Sequence, residues 1–430
     1  MDQQSTVAAA LLSAAGCALL AGGPAGEVVL LVRRALGWTQ QDLAGRSGWS
    51  QSTISRIEEG KTRAAHDTQV LTDLAQALGI PLAVFGLADT AQAPMLDGVD
   101  RRDVLGSGAA LAVSLLLPQG VATAGRISSE DVAQSWTAVH RLQELEWHQG
   151  GAAISQVADG LARRLQEAVR HGSYPAAVGQ ELHSVTLASM SRAAWAAYDG
   201  GREQRARQWW LEICHFADLA KVPAARVNAQ TAMALHAGKR PGGGPEAISL
   251  AQAATATAHG LGTAPSLLSM LAAREAIGHA QVGDASAATA AVARARRWLD
   301  QGPGQDEPLW LRAYGPADLA CHEMLVGELT RNGKVAETAA RAARDNADPA
   351  TFPRNHALYT VYLGSVLTKL GQLDEAISVT RSAVQQVHTV HGSRRLTTRL
   401  HGTVDLLSKQ NYQPATTFAA AARRLLPTAA

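Results

Sequence analysis

Two helix starts separated by a single glycine turn, between Thr39 and Lys61, constrain this chain more than any other segment. Thr39 is placed to accept a backbone N–H at the start of a short helix, and Asp42, three residues on, completes a capping box. Leu43 and Ala44 read as inward-facing, with Ala44 small enough for a second helix to cross closely. Gly48 supplies the sharp turn. Ser50 then caps another helix, whose Ile54 and Ile57 share one face at i and i+3. Its other face offers Gln51, Ser52, Thr53 and Arg56, all hydrogen-bonding and none apolar.

A helix with polar groups clustered at its N-terminus suits the major groove of DNA. The pattern is specific: Thr39-Gln40, Leu43-Ala44, Gly48, Ile54-Ser55, Ile57-Glu58 and Gly60 are followed by Leu71, Leu74-Ala75 and Ala77-Leu78-Gly79. On these residues, Gly26 to about Leu87 resembles the five-helix helix-turn-helix domain shared by lambdoid phage repressors and the Xre family of bacterial regulators. The resemblance implies that Gln51, Ser52, Thr53 and Arg56 read bases. A bidentate Arg56–guanine pair would be worth about 1–3 kcal/mol of discrimination. It also implies phosphate contacts from Gln40, Ser50, Lys61, Thr62 and Arg63, with Gln40 supporting Gln51. Arg33 and Glu58 match a structural ion pair of that family.

Charge tempers this picture. The chain carries a formal +2, so it is no polycation. Between Gly26 and Thr90, six basic residues (Arg33, Arg34, Arg46, Arg56, Lys61, Arg63) meet seven acidic ones (Glu27, Asp42, Glu58, Glu59, Asp67, Asp73, Asp89). Non-specific affinity scales with the phosphates neutralised and is expected to be modest. A homodimer on a palindromic operator in double-stranded DNA would compensate by doubling the contacts.

At 430 residues, two or three domains are expected. Ala- and Leu-rich composition without β-branched alternation points to an all-α chain. Beyond Ile127 a Gly-then-Ala frame recurs: Gly201 with Ala206, Gly242 with Ala247, Gly283 with Ala288, and Gly371 with Ala376. A degraded copy is read at Gly333 with Thr338, giving steps of about 41, 41, 50 and 38 residues, longer than the roughly 34 of a tetratricopeptide repeat. Stacked hairpins of this kind predict a tetratricopeptide-like solenoid whose concave face suits a peptide or protein segment. Trp195-Ala196-Ala197-Tyr198-Asp199-Gly200 and Leu370-Gly371-Gln372-Leu373-Asp374-Glu375-Ala376 resemble the long actinobacterial Xre-type regulators with such tails. Trp195, Tyr198 and His236 are the candidate effector contacts. Trp209 and Trp210 are adjacent, so only one is expected fully inward.

The expected organisation is an apolar, helical extension at 1–25, the helix-turn-helix domain at 26–87, a linker with an apolar helix at 88–126, and the repeat domain at 127–430. The linker proper reads from Ala88 to Gly98. Arg101-Arg102 before an apolar run imitates a twin-arginine export signal, but its position far inside the chain favours a docking helix. The Gly242-Gly243-Gly244 run falls where the repeat frame needs a turn and lacks the Gly-Lys-Ser/Thr ending of a phosphate loop. Cys17, Cys214 and Cys321 give neither a disulfide framework nor a zinc spacing. His388 and His391 lack a third ligand at metal spacing, and Cys321-His322-Glu323 diverge around a helix. No catalytic motif, cofactor or membrane span is expected, and the location expected is cytoplasmic. The function expected is a sequence-specific transcription regulator whose repeats sense a peptide, small molecule or protein and tune dimer geometry. The alternative is a DNA-localised adaptor that binds a protein partner constitutively.

Overall fold

The computed structural model describes residues 3–12, 16, 19, 24–62, 67–80, 82–85, 125–261, 264–304, 307, 309–388, 390 and 392–426. Arg63, the linker at 88–98, the apolar segment at 101–124, Cys17 and His391 lie outside the described residues. The chain divides into two compact units: Met1–Glu146 with Ala153–Ala196, and Trp147–Ala152 with Ala197–Ala430.

The first unit opens with α1 (Gln3–Leu12), which packs on α2 (Ala25–Ala35) and buries Val7 and Leu11. Next come α3 (Gln40–Ser47), α4 (Gln51–Glu58) and α5 (Thr68–Leu78), then a 3-10 turn over Leu82–Phe85. The fifth helix expected of this domain is thus represented, among the described residues, by a single tight turn. Three helix starts carry a side-chain cap: Thr39 and Asp42 form the expected capping box, Ser50 accepts from Thr53 N as expected, and Asp67 accepts from Gln69 N and Val70 N, whereas α2, with Pro24 at its N-cap, has none. Val29, Val32, Leu43, Ile54, Ile57, Leu74 and Leu78 are fully enclosed. Ala44, expected inward, is only partly covered. The tightest crossing is made elsewhere: a Cβ on Gly26 would lie 1.9 Å from the Ile57 carbonyl oxygen. Only glycine lets the start of α2 touch the end of α4 that closely.

The unit continues through most of α6 (Ser129–Gln149), α7 (Gly151–His171) and α8 (Ala176–Asp199), whose stretches Trp147–Ala152 and Ala197–Asp199 belong to the second unit. The one departure from pure helix among the described residues is a parallel pairing of β1 (Gly125–Arg126) with β2 (Gly172–Ser173), where no strand was expected.

The second unit is an array of helical hairpins. Its elements are α9 (Glu203–Ala220), α10 (Pro223–Lys239), α11 (Gly244–His259), α12 (Pro265–Gln281), α13 (Ala285–Leu299), α14 (Pro316–Leu329), α15 (Gly333–Asp345), α16 (Pro353–Lys369), α17 (Leu373–Val387), α18 (Arg394–Ser408) and α19 (Gln413–Leu425). Gly201, Gly242, Gly283 and Gly371 all adopt positive φ two residues before a helix, and Ala206, Ala247, Ala288 and Ala376 five residues on are completely buried. The degraded copy must be re-registered. There the left-handed residue is Arg331, at φ 57°, and the buried alanine is Ala336; Thr338 is exposed. The steps become about 41, 41, 48 and 40 residues between positions 201, 242, 283, 331 and 371. A further hairpin, α18–α19, escapes the frame because no glycine marks its turn, yet it buries Ala415, Ala419 and Ala422 in the same manner.

Both tryptophans at 209 and 210 are buried, at 1% and 0% exposure, against the expectation that only one would be. The buried stripe of α9 is Ala206, Trp209, Trp210, Ile213 and Ala217, so the two rings occupy the i+3 and i+4 positions that straddle its centre.

The helices α11, α13 and α15 bury a narrow alanine stripe, whereas α10, α12 and α16 are covered almost all round. Asp199, wholly buried, joins distant parts of the unit. Its carboxylate accepts from Gly151 N at 2.8 Å and Ser393 Oγ at 2.9 Å, and it faces Arg395 Nη2 at 3.3 Å and Arg354 Nη1 at 3.7 Å. Beside it, Ala152 N donates to Gly392 O at 2.8 Å. The beginning of the array is thereby clasped to its last hairpin.

Removing one partner of a buried ion pair strands the others, so Asp199→Ala should cost about 3–5 kcal/mol, read as a lowered midpoint in urea unfolding. A midpoint unchanged from wild type would show that the clasp carries no stability. A second expectation concerns acid. Burial and then the Arg274 charge hold the His322 imidazole down, to about 3. A depressed folded value means stability is complete above the ordinary histidine range near 6.5 and drains away as pH falls toward 3. Asp318, raised to about 6 by burial, acts in the opposite sense over part of that window. His322→Gln should therefore flatten the loss of stability between about pH 6.5 and 4, measured by urea titration at each pH.

Candidate nucleic-acid interface

The interface is built on a buried ion pair. Arg33, in the last turn of α2, donates from Nε to Glu58 Oε1 at 2.5 Å and from Nη2 to Oε2 at 2.9 Å. Its Nη1 donates to the Trp38 carbonyl at 2.6 Å, tying in the turn before α3. The two side chains are 10% and 4% exposed. Burial of so bidentate a pair fixes the end of α4 against α2.

From Glu58 a chain of amides runs outward. Gln40 Nε2 donates to Glu58 Oε2 at 2.9 Å, and Gln51 Nε2 donates to Gln40 Oε1 at 2.7 Å. Gln51 is exposed at the first turn of α4, yet it is oriented through two hydrogen bonds to a buried carboxylate. The next residues are equally ordered: Ser50 Oγ lies 2.9 Å from Ser52 Oγ and 2.8 Å from Thr53 Oγ1. Gln51, Ser52 and Arg56 are exposed and Thr53 is half-buried, while Ile54 and Ile57 on the opposite face are enclosed. This surface can donate to and accept from a partner along one helix edge.

Lys61 and Thr62 follow α4; Lys61 is paired with Glu59 at 2.9 Å, both exposed. An exposed pair of this kind is worth little and can be exchanged for a phosphate. Two contacts were not anticipated from the sequence. Trp49 Nε1 donates to Asp73 Oδ2 at 3.0 Å, pinning the turn between α3 and α4 to α5. Arg46 lies over the Trp38 ring, 4.3 Å from its centroid, with its charge committed to that face. An indole in a polar turn and an acid on the facing helix are the only sequence signal for the first.

The effector candidates have different fates. Tyr198 lines a cavity of about 590 Å³ in the second unit. His236 is stacked edge-on to Tyr198 at 5.8 Å and lies against Trp210 at 5.9 Å, with Nε2 3.2 Å from Glu203 Oε2. It belongs to a packed aromatic cluster rather than to the cavity wall. Trp195 is half-buried on α8. No group of three or more His, Cys, Asp or Glu placed to hold a metal occurs among the described residues. No helix among them is long and apolar enough to cross a membrane.

The helix-turn-helix family HTH_3 matches residues 30–85, so the chain carries a domain of that family at its N-terminal end. No curated protein matches. Among solved structures, the tetratricopeptide repeat domain of P58(IPK) is similar at 13% identity over 95% of each chain, with a TM-score of 0.18. At that score the repeat architecture rests on the helices themselves.

Glu58→Ala leaves the Arg33 guanidinium buried without its partner and should cost about 3–5 kcal/mol. Replacing both with apolar residues, Arg33→Met with Glu58→Leu, should recover most of it, as a thermal-unfolding double-mutant cycle would reveal. Equal costs for the single and double variants would show that the pair does not organise the domain.

Proposed function

We propose that this protein is a sequence-specific DNA-binding transcription regulator that reads the major groove with α4. The observation that carries the reading is the Glu58–Gln40–Gln51 chain, which fixes a base-reading amide before DNA arrives. Gln51, Ser52, Thr53 and Arg56 meet base edges; Gln40, Ser50, Lys61, Thr62 and Arg63 meet phosphates. Because the domain is nearly neutral, affinity comes from oriented contacts and from two copies on a palindromic site, rather than from bulk charge. The hairpin array of the second unit binds an effector, and its occupancy sets the spacing of the two α4 helices in a cytoplasmic homodimer.

Footprinting on DNA upstream of the protein's own gene locates the site, and fluorescence anisotropy on that fragment measures the readers. Arg56→Ala should weaken specific binding by about 1–3 kcal/mol, roughly fivefold to 150-fold, and relax preference at one base pair. Lys61→Ala should weaken all sequences about equally and lower the salt slope by about one. A folded Arg56→Ala protein that binds and discriminates as wild type does would overturn the assignment.

A further inference from the structure

The cavity lined by Tyr198 has about 590 Å³, within the range that accepts a small-molecule ligand. Its wall is unbalanced in charge, with five basic side chains against Glu203 and Glu328. Both carboxylates are already engaged: Glu328 accepts from Lys369 Nζ at 2.6 Å, and Glu203 faces His236. Of the cations, Lys239 at the end of α10 and Arg394 and Arg399 on α18 have no ion pair with an acid among the described residues, whereas Arg395 on α18 is shared with Asp199 at 3.3 Å. Arg395 lies over the Tyr198 ring, 5.3 Å from its centroid, and Arg399 over the Tyr362 ring at 5.5 Å.

Two donors on this wall lack partners. The Tyr362 hydroxyl, on a residue 5% exposed, and Arg395 Nε make no hydrogen bond among the described residues. A buried donor left unsatisfied keeps its desolvation penalty, so the pair is expensive unless something supplies acceptors. Burial also holds the Lys239 ammonium below its ordinary range, which an anion beside it would reverse. Val361 and Leu406 add an apolar stretch to the same wall.

We propose that this cavity binds a small organic oxyanion, its carboxylate or phosphate held by Lys239, Arg395, Arg399 and the Tyr362 hydroxyl, and its apolar body placed against Val361 and Leu406. The site names the effector class for the regulator reading, and depends on that reading only for its link to DNA. Arg395 also touches Asp199, so a bound anion would bear on the residue that clasps the array.

Calorimetry on the full-length protein with benzoate, phenyl phosphate, benzamide and benzylamine tests it. Benzoate or phenyl phosphate should bind and raise the melting temperature, and the stronger of the two identifies the head group. The neutral amide and the amine should bind at least about tenfold more weakly. Lys239→Gln with Arg399→Gln, both away from Asp199, should weaken the preferred anion by about tenfold or more, whereas Arg399→Lys should keep the preference for anions. Benzamide binding as tightly as benzoate, no anion binding at millimolar concentration, or a folded double-glutamine variant that binds unchanged would each overturn the proposal. None of these measurements involves DNA. Failure here therefore leaves the groove-reading assignment standing, and Arg56→Ala should not alter anion binding.

Discussion

A carboxylate taken out of water has to be met by donors from several directions, and that demand organises each unit of this protein. In the first, Glu58 satisfies it with both arms of Arg33 and with the Gln40 amide, so three helices converge on one side chain. In the second, Asp199 satisfies it with a backbone N–H, a serine hydroxyl and the neighbouring guanidinium groups of Arg354 and Arg395. Such sites add little stability relative to an apolar core of the same shape, but a misplaced partner is heavily penalised. Their value here is geometric: Glu58 sets where α4 points, and Asp199 sets where the array ends.

The geometry matters because charge cannot do the same work. With acids and bases nearly equal around the helix-turn-helix, a loosely held reader would spend much of its contact energy on being ordered. The amide chain from Glu58 to Gln51 removes part of that cost in advance. It also leaves Gln40 compatible with the phosphate contact proposed for it. Its carbonyl oxygen and its amide are both used within the protein, but the amide's second N–H stays available to a phosphate.

Much of this was legible in the sequence because the determinants are local. Thr39 with Asp42, Gly48, and Ser50 with Thr53 act within three residues of one another, so spacing alone identifies them. The Gly-then-Ala frame is legible for the same reason. It slipped at Gly333 because the physical requirement is a left-handed residue, not a glycine; Arg331 meets it and leaves Gly333 to begin the helix. The hairpin at α18–α19 was missed on the same ground. Asp199 was out of reach, since its partners lie 48 and 194 residues away and nothing near it marks a buried acid. Trp49 with Asp73 and Gly26 against Ile57 are likewise meetings of elements that only the folded chain brings together.

The repeat frame predicts where helices turn but not what their inner faces enclose. A solenoid with an open concave groove would leave one side of its first helices exposed. In this unit α10, α12 and α16 are covered on nearly every side, and polar groups such as Arg274, His322 and Arg354 are buried among them. Burying that much charge is tolerable only where the closure of the array holds its members in register, which is the work of the Asp199 clasp. What the covered helices leave on this side is a cavity of about 590 Å³. A cavity of that size is distinguished by its charge and volume, and the cations that line this one outnumber the acids beside them.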